Sequence, residues 1–99
     1  MLAQFSIWPL DEPHMSKDIA DVTKVLEQSG VRYEVGPMAT TVEGEWQDVM
    51  NAIHACHEAL RAARQRVLTT ITIDDDATRA LNMSEATAKV SARREEAKS

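Results

Sequence analysis

The sequence predicts an α+β fold of one domain, a four-stranded antiparallel sheet with two helices on one face. Three observations point there. The apolar residues switch between a period of two and a helical period in the order strand, helix, strand, strand, helix, strand. The three glycines and three prolines all fall at the joins between those segments. The chain of 99 residues, 43% hydrophobic and 27% charged, has apolar material for one core and too little for two.

The first segment, Leu2 to Trp8, alternates: Ala3, Phe5 and Ile7 point one way, and Leu2, Gln4, Ser6 and Trp8 the other. Pro9 and Pro13 bracket an acidic loop with Asp11 and Glu12, and prolines cannot donate to a sheet ladder, so the strand stops there. Ser16 is positioned to cap a helix whose first turn holds Asp18, near the positive end of the dipole. Ile19, Val22, Val25 and Leu26 recur at helical spacing, and Gly30 ends the run. Val31 to Val35 and Met38 to Glu43 read as two strands joined by Gly36 and Pro37, an antiparallel hairpin.

After Gly44 the period becomes helical for about five turns, with Trp46, Val49, Met50, Ile53, Cys56, His57 and Leu60 on one stripe. Trp46 is expected to anchor the start of that helix in the core. Arg66 to Asp75 is the clearest strand: Val67, Thr69, Ile71 and Ile73 share one side, and Leu68, Thr70, Thr72 and Asp74 the other. A short C-terminal helix is expected from about Ser84, carrying Met83, Ala86, Thr87 and Val90. Residues 1–92 therefore form the domain, and 93–99 a charged tail.

This order of elements is the ferredoxin-like βαββαβ sandwich. Its helices cover Phe5, Ile7, Val67, Ile71 and Ile73 and leave Gln4, Ser6, Trp8, Leu68, Thr70 and Thr72 on an open face. An open sheet face on a small domain is solvated, buried in an oligomer, or closed over a ligand. The net charge of -5, without a basic stripe, disfavours nucleic acid. No basic segment leads into an apolar run and no stretch approaches ~20 apolar residues, so a soluble cytoplasmic protein without a membrane role is expected. The single cysteine, Cys56, excludes an intrachain disulfide and fits a reducing compartment.

Three stretches carry a family likeness. YEVGPMATTVEGEW, a helix containing CHEAL, and RVLTTITIDD, in that order, resemble the small thiamine-binding protein family over the chain from the first strand to about Asp75. The resemblance implies a homodimer or dimer of dimers built by sheet contacts, binding thiamine or its hydroxymethylpyrimidine part without catalysis and without a separate cofactor. Ser6, Thr40, Glu43, His57, Glu58, Asp74 and Asp75 match the family's motif positions. The chain departs from the family at Ala39 and near Arg64, where glycine is usual, at Asp76, where a basic residue is common, and in the loop from Pro9 to His14.

The chemistry of an aminopyrimidine sets what its site needs. Ring nitrogens accept hydrogen bonds and the exocyclic amine donates, so hydroxyls suit the former and a carboxylate the latter. Ser6, Thr40, Thr70 and Thr72 supply hydroxyls and Glu43 a carboxylate, with Trp8, His57 and Asp74 as supporting residues. Against this stands a plainer reading: threonine suits strands for its own sake, and Glu43 precedes a helix whose dipole favours an acid. For the hairpin only nearness is predicted, because a one-residue slip exchanges the faces of Thr40 and Thr41.

Other chemistries fit less well. His54, Cys56, His57 and Glu58 share a helix, but they lack a second ligand group at zinc spacing, and Cys56 lies on the stripe expected to be buried. His57 reads better as a histidine at the core edge bonded to a loop. Asp74, Asp75 and Asp76 lack the glycine and distal glutamate of a calcium loop and read as a solvated strand end paired with Arg79. No nucleophile elbow or phosphate-binding glycine loop is present. The sequence thus points to non-catalytic binding of thiamine or a related pyrimidine, for carriage, buffering or sensing. Its rivals are a small dimeric α+β barrel enzyme, such as an aromatic-substrate monooxygenase using His54 or His57, and a subunit whose open face serves only assembly.

Overall fold

The computed structural model describes residues 1–11 and 16–84. Its elements are β1 (Leu2–Pro9), α1 (Ser16–Ser29), β2 (Arg32–Val35), β3 (Thr40–Glu43), α2 (Trp46–Ala63) and β4 (Val67–Asp74). The strands lie in the order β2-β3-β1-β4, and every neighbouring pair is antiparallel. This is the ferredoxin-like sandwich, with β1 central.

The register settles the faces. Ala3 opposes Val42 and Ile73, and Phe5 opposes Thr40 and Ile71, so these residues share the helix-covered side. Gln4 lies between Thr41 and Thr72, Ser6 opposes Thr70, and Trp8 opposes Leu68 on the open side. The core between sheet and helices gathers Ala3, Phe5, Leu26, Val42, Val49, Ala52, Ile53 and Cys56. Its filling is almost wholly aliphatic, with Phe5 the one fully buried ring among the described residues.

Three expectations need correction. Trp46 is 52% exposed rather than a core anchor. The buried residues of α2 are Val49, Ala52, Ile53, Cys56 and Leu60. At about 100° per residue, Trp46, Met50 and His57 fall some 60–100° to one side of that line, on the flank of the stripe. Ile71 and Ile73 do point to the helix side, but each is 37% exposed because β4 is an edge strand that α2 leaves partly uncovered. The third strand begins at Thr40 rather than Met38, since Gly36 to Ala39 are spent on the turn, where the Gly36 N–H donates to the Ala39 carbonyl at 3.0 Å.

The helix ends follow local chemistry. Gly30 takes a φ of 76°, the left-handed stop expected of it. Arg64 is extended at φ -128°, so no glycine is required at this helix end, and its N–H donates to the Leu60 carbonyl at 3.0 Å. The Arg64 side chain reaches back to Asp18, which is only 3% exposed, with Nη2 2.8 Å from Oδ2. Asp11 accepts the Gln65 N–H at 2.8 Å, tying the loop after β1 to the turn before β4.

Beyond β4 the chain crosses the sheet end to Met83, where a helical turn begins. The Met83 N–H donates to Glu43 Oε1 at 2.8 Å, and Arg32 Nη2 donates to Ser84 Oγ at 3.0 Å. The rest of the expected C-terminal helix, the tail from 93 to 99, the loop residues 12–15 and the capping side chain of Ser16 lie outside the described residues.

Candidate functional site

The strands of the sheet are unequal in length, and the inequality makes a site. β1 pairs with β4 through all eight residues from Leu2 to Pro9, but with β3 only from Leu2 to Phe5. Past the Phe5–Thr40 pair, the β3 side of β1 has no strand beside it. The hairpin tip, Gly36 to Ala39, bends over that gap. Gly36 is obligatory there, because a Cβ on it would stand 2.9 Å from the Ala39 carbonyl oxygen. Ala39 fits without strain, since no residue other than glycine has a positive φ among those described.

The resulting notch opens on both faces of the sheet. On the helix side it is a cleft of about 130 Å³, whose walls include Phe5, Ile7, Ile19, Val35 and Thr40. On the open side it widens to about 680 Å³ between Gln4, Ser6 and Trp8 of β1 and Pro37, Met38 and Ala39 of the tip. Ile19 sits on the same face of α1 as the buried Leu26, yet it is 53% exposed. The sheet beneath it has ended, so it overhangs the notch instead of packing.

The predicted site residues divide accordingly. Ser6, Trp8 and Thr40 meet at the notch. Thr70 and Thr72 lie on the open face across β1, opposite Ser6 and Gln4, and do not line it. Glu43 and Asp74 flank Leu2 at the far end of the sheet. The Glu43 carboxylate is engaged by the Met83 N–H and, at 3.6 Å, by Arg32. Its observed work is to hold the segment after β4. Gln4, Ile19 and Met38 were not among the sequence candidates. Met38 was the most legible of them, as an apolar residue between the Pro37 turn and a strand.

His57 belongs to a different place. Its Nδ1 lies 2.6 Å from Thr69 Oγ1, a strand residue rather than a loop. The two line an edge groove of about 420 Å³ between α2 and β4, with Met50, Ile53 and Ile71. His54 pairs with Glu58 at 3.1 Å on the exposed side of α2. Cys56 is fully buried with Sγ 3.8 Å from the Val22 carbonyl, and burial pushes its thiol up to about 11. These side chains diverge, and no group of three or more His, Cys, Asp or Glu is placed to hold a metal among the described residues. Asp76 is held by Thr78 at 2.6 and 2.9 Å and by Arg79 at 3.6 Å, the expected pairing. The Thr78 hydrogen bonds, foremost, hold its carboxyl below the usual range. No helix among the described residues is long and apolar enough to cross a membrane.

A family model described as thiamine-binding protein matches residues 3–91, spanning the notch and all of the sheet except Leu2. The chain belongs to the thiamine-binding protein family. It is 38% identical over 81 residues to YqgV of Bacillus subtilis, covering 75% of this chain and 78% of that protein. It is 40% identical over 85 residues to a Methanothermobacter thermautotrophicus protein, covering 80% and 86%. A crystal structure from Methanocaldococcus jannascii shares the fold at a TM-score of 0.84 and 21% identity, covering 91% of this chain and 94% of that one. A Thermotoga maritima structure, provisionally assigned to thiamine biosynthesis or salvage, matches at 0.79 with 26% identity, covering 90% and 96%. Membership in the thiamine-binding family thus rests on nearly the whole chain.

Proposed function

We propose that this protein binds thiamine or a related hydroxymethylpyrimidine compound in the notch, without catalysis, as a carrier, buffer or sensor of the vitamin. The observation that carries the reading is the notch itself, in a chain of the thiamine-binding family. Its helix-side cleft of about 130 Å³ has the scale of the roughly 150 Å³ apolar cavity that accepts one benzene ring. Its open-face side falls within the roughly 300–1,000 Å³ of small-molecule sites. A two-ring ligand can place its pyrimidine inside and its thiazolium outside.

Charge favours the unesterified vitamin. Among the open-face strand charges, Glu34 is the one in line with the notch, through Thr41 to Gln4, so a cationic thiazolium is preferred over a pyrophosphate tail. Trp8, half exposed at the notch, offers a stacking surface to either ring. Support for the non-catalytic part is that neither His54 nor His57 lines the notch.

Calorimetric titration tests this. Thiamine is expected to bind, its pyrophosphate at least about tenfold more weakly, and Trp8→Ala to lose about tenfold in affinity. Absence of any heat with thiamine and with free hydroxymethylpyrimidine, together with an unshifted melting temperature at saturation, would overturn the reading. One observation favours a second reading, an aromatic-substrate enzyme: His57 faces the sheet and lines the α2–β4 groove. In that case His57→Ala abolishes turnover of an aromatic substrate and leaves thiamine binding intact.

A further inference from the structure

The part of the notch least visible in the sequence is backbone. Every strand residue carries an N–H and a C=O that need partners, and in an antiparallel sheet both groups of one residue point to the same side, alternating along the strand. Ser6, Ile7 and Trp8 have β4 on one side and no strand on the other. Whichever way the alternation runs, at least one of the three turns both its N–H and its C=O into the notch. No backbone hydrogen bond from the hairpin tip reaches them among the described residues, where the tip's own bond is Gly36 to Ala39. Phe5, Ile7, Ile19 and Val35 make much of the surrounding wall apolar, and the hydroxyls of Ser6 and Thr40 stand beside them.

We infer that the free edge of β1 between Ser6 and Trp8 is itself the recognition element, taking a planar heterocycle that bears a hydrogen-bond donor beside an acceptor, as an amino-substituted diazine does. The inference rests on the ligand-binding reading above and names the part of the ligand that is read. The ring completes the sheet where β3 stops: its amine meets the strand's carbonyl and its neighbouring ring nitrogen accepts the N–H, as an added strand would. The helix-side cleft, about 130 Å³, has the scale of one ring and so suits a single heterocycle better than a peptide strand. The hydroxyls of Ser6 and Thr40 then orient the ligand, and Ile19 gains the cover it lacks.

The test compares thiamine with oxythiamine, in which an oxo group replaces the amine and reverses the donor and acceptor, using hydrogen exchange read residue by residue. The expected results are at least about a tenfold weaker binding of oxythiamine and a slowed exchange of the fastest amide among Ser6, Ile7 and Trp8 when thiamine is added. Equal affinity for the two, or bound thiamine with unchanged exchange across these three amides, overturns the inference while leaving the function standing. If neither thiamine nor hydroxymethylpyrimidine binds, both fall together.

Discussion

Cys56 shows how far one residue can be read from its neighbours. Its place between Ile53 and Leu60 on the apolar stripe of α2 marks it as a small hydrophobe, and it is fully buried in the core. Burial disfavours the thiolate, so the folded protein holds the thiol to about 11 while the unfolded chain ionises near 9. The sign follows: below pH 9 the group is neutral in both states and contributes no pH dependence, and as pH rises from about 9 to about 11 the unfolded state alone releases the proton. Chemical denaturation should lose on the order of 2–3 kcal/mol across that window, and a Cys56→Ala protein, though less stable throughout, should lack that part of the slope. Glycines were legible in the same way. Gly30 and Gly36 were assigned to a helix stop and a turn from position alone, and both are where the backbone demands them. What residue-level reading missed is Asp18. The sequence places it only in the first turn of a helix, and it is a buried acid held by Arg64, 46 residues away, which no local pattern connects to it.

At the scale of elements, that ion pair fastens α1 to the junction of α2 and β4. Arg64 is 18% exposed and Asp18 5% at their side chains, so removing the arginine strands a buried carboxylate without this cation. Arg64→Ala should cost on the order of 3 kcal/mol in urea denaturation, and the doubly substituted Asp18→Asn, Arg64→Ala protein should recover part of it. An additive double variant would show that the pair carries no coupling. The helix and strand types themselves were legible because the periods were clean: all six elements were placed from alternation and stripe. Their ends were less so. Nothing in Met38-Ala39 distinguishes a strand from a turn, and only the closure of Gly36 onto Ala39 shortens β3 and thereby creates the notch. Trp46 failed for a related reason, since a stripe drawn through aromatic and aliphatic residues alike cannot say which flank the sheet covers.

At the scale of the molecule, two surfaces remain to be covered. The outer edge of β4 is eight residues long with neither proline nor lysine, and Leu68, Ile71 and Ile73 are exposed along it. Trp8 stands opposite Leu68 on the open face. Self-association is the proposal these features support, and light scattering with size exclusion should give at least twice the 11.0 kDa of one chain. Leu68→Glu should shift the mass toward a single chain without unfolding it, since the residue lies outside the core. A wild-type mass of one chain would remove the oligomer.

By itself the sequence determined the class of fold, the order of its six elements, the two faces of the sheet and the hairpin as the place to look, because each of these depends on local period and local turn chemistry. The motif stretches added the family. Only the tertiary structure decided which candidates meet. Ser6, Trp8 and Thr40 come together at a notch, while Glu43 and Asp74 stand at the far end and His57 turns to another groove. The physical reason is that a site made by the ending of one strand beside another depends on relative lengths and register, and these are set by pairing across the chain rather than by any residue's neighbours.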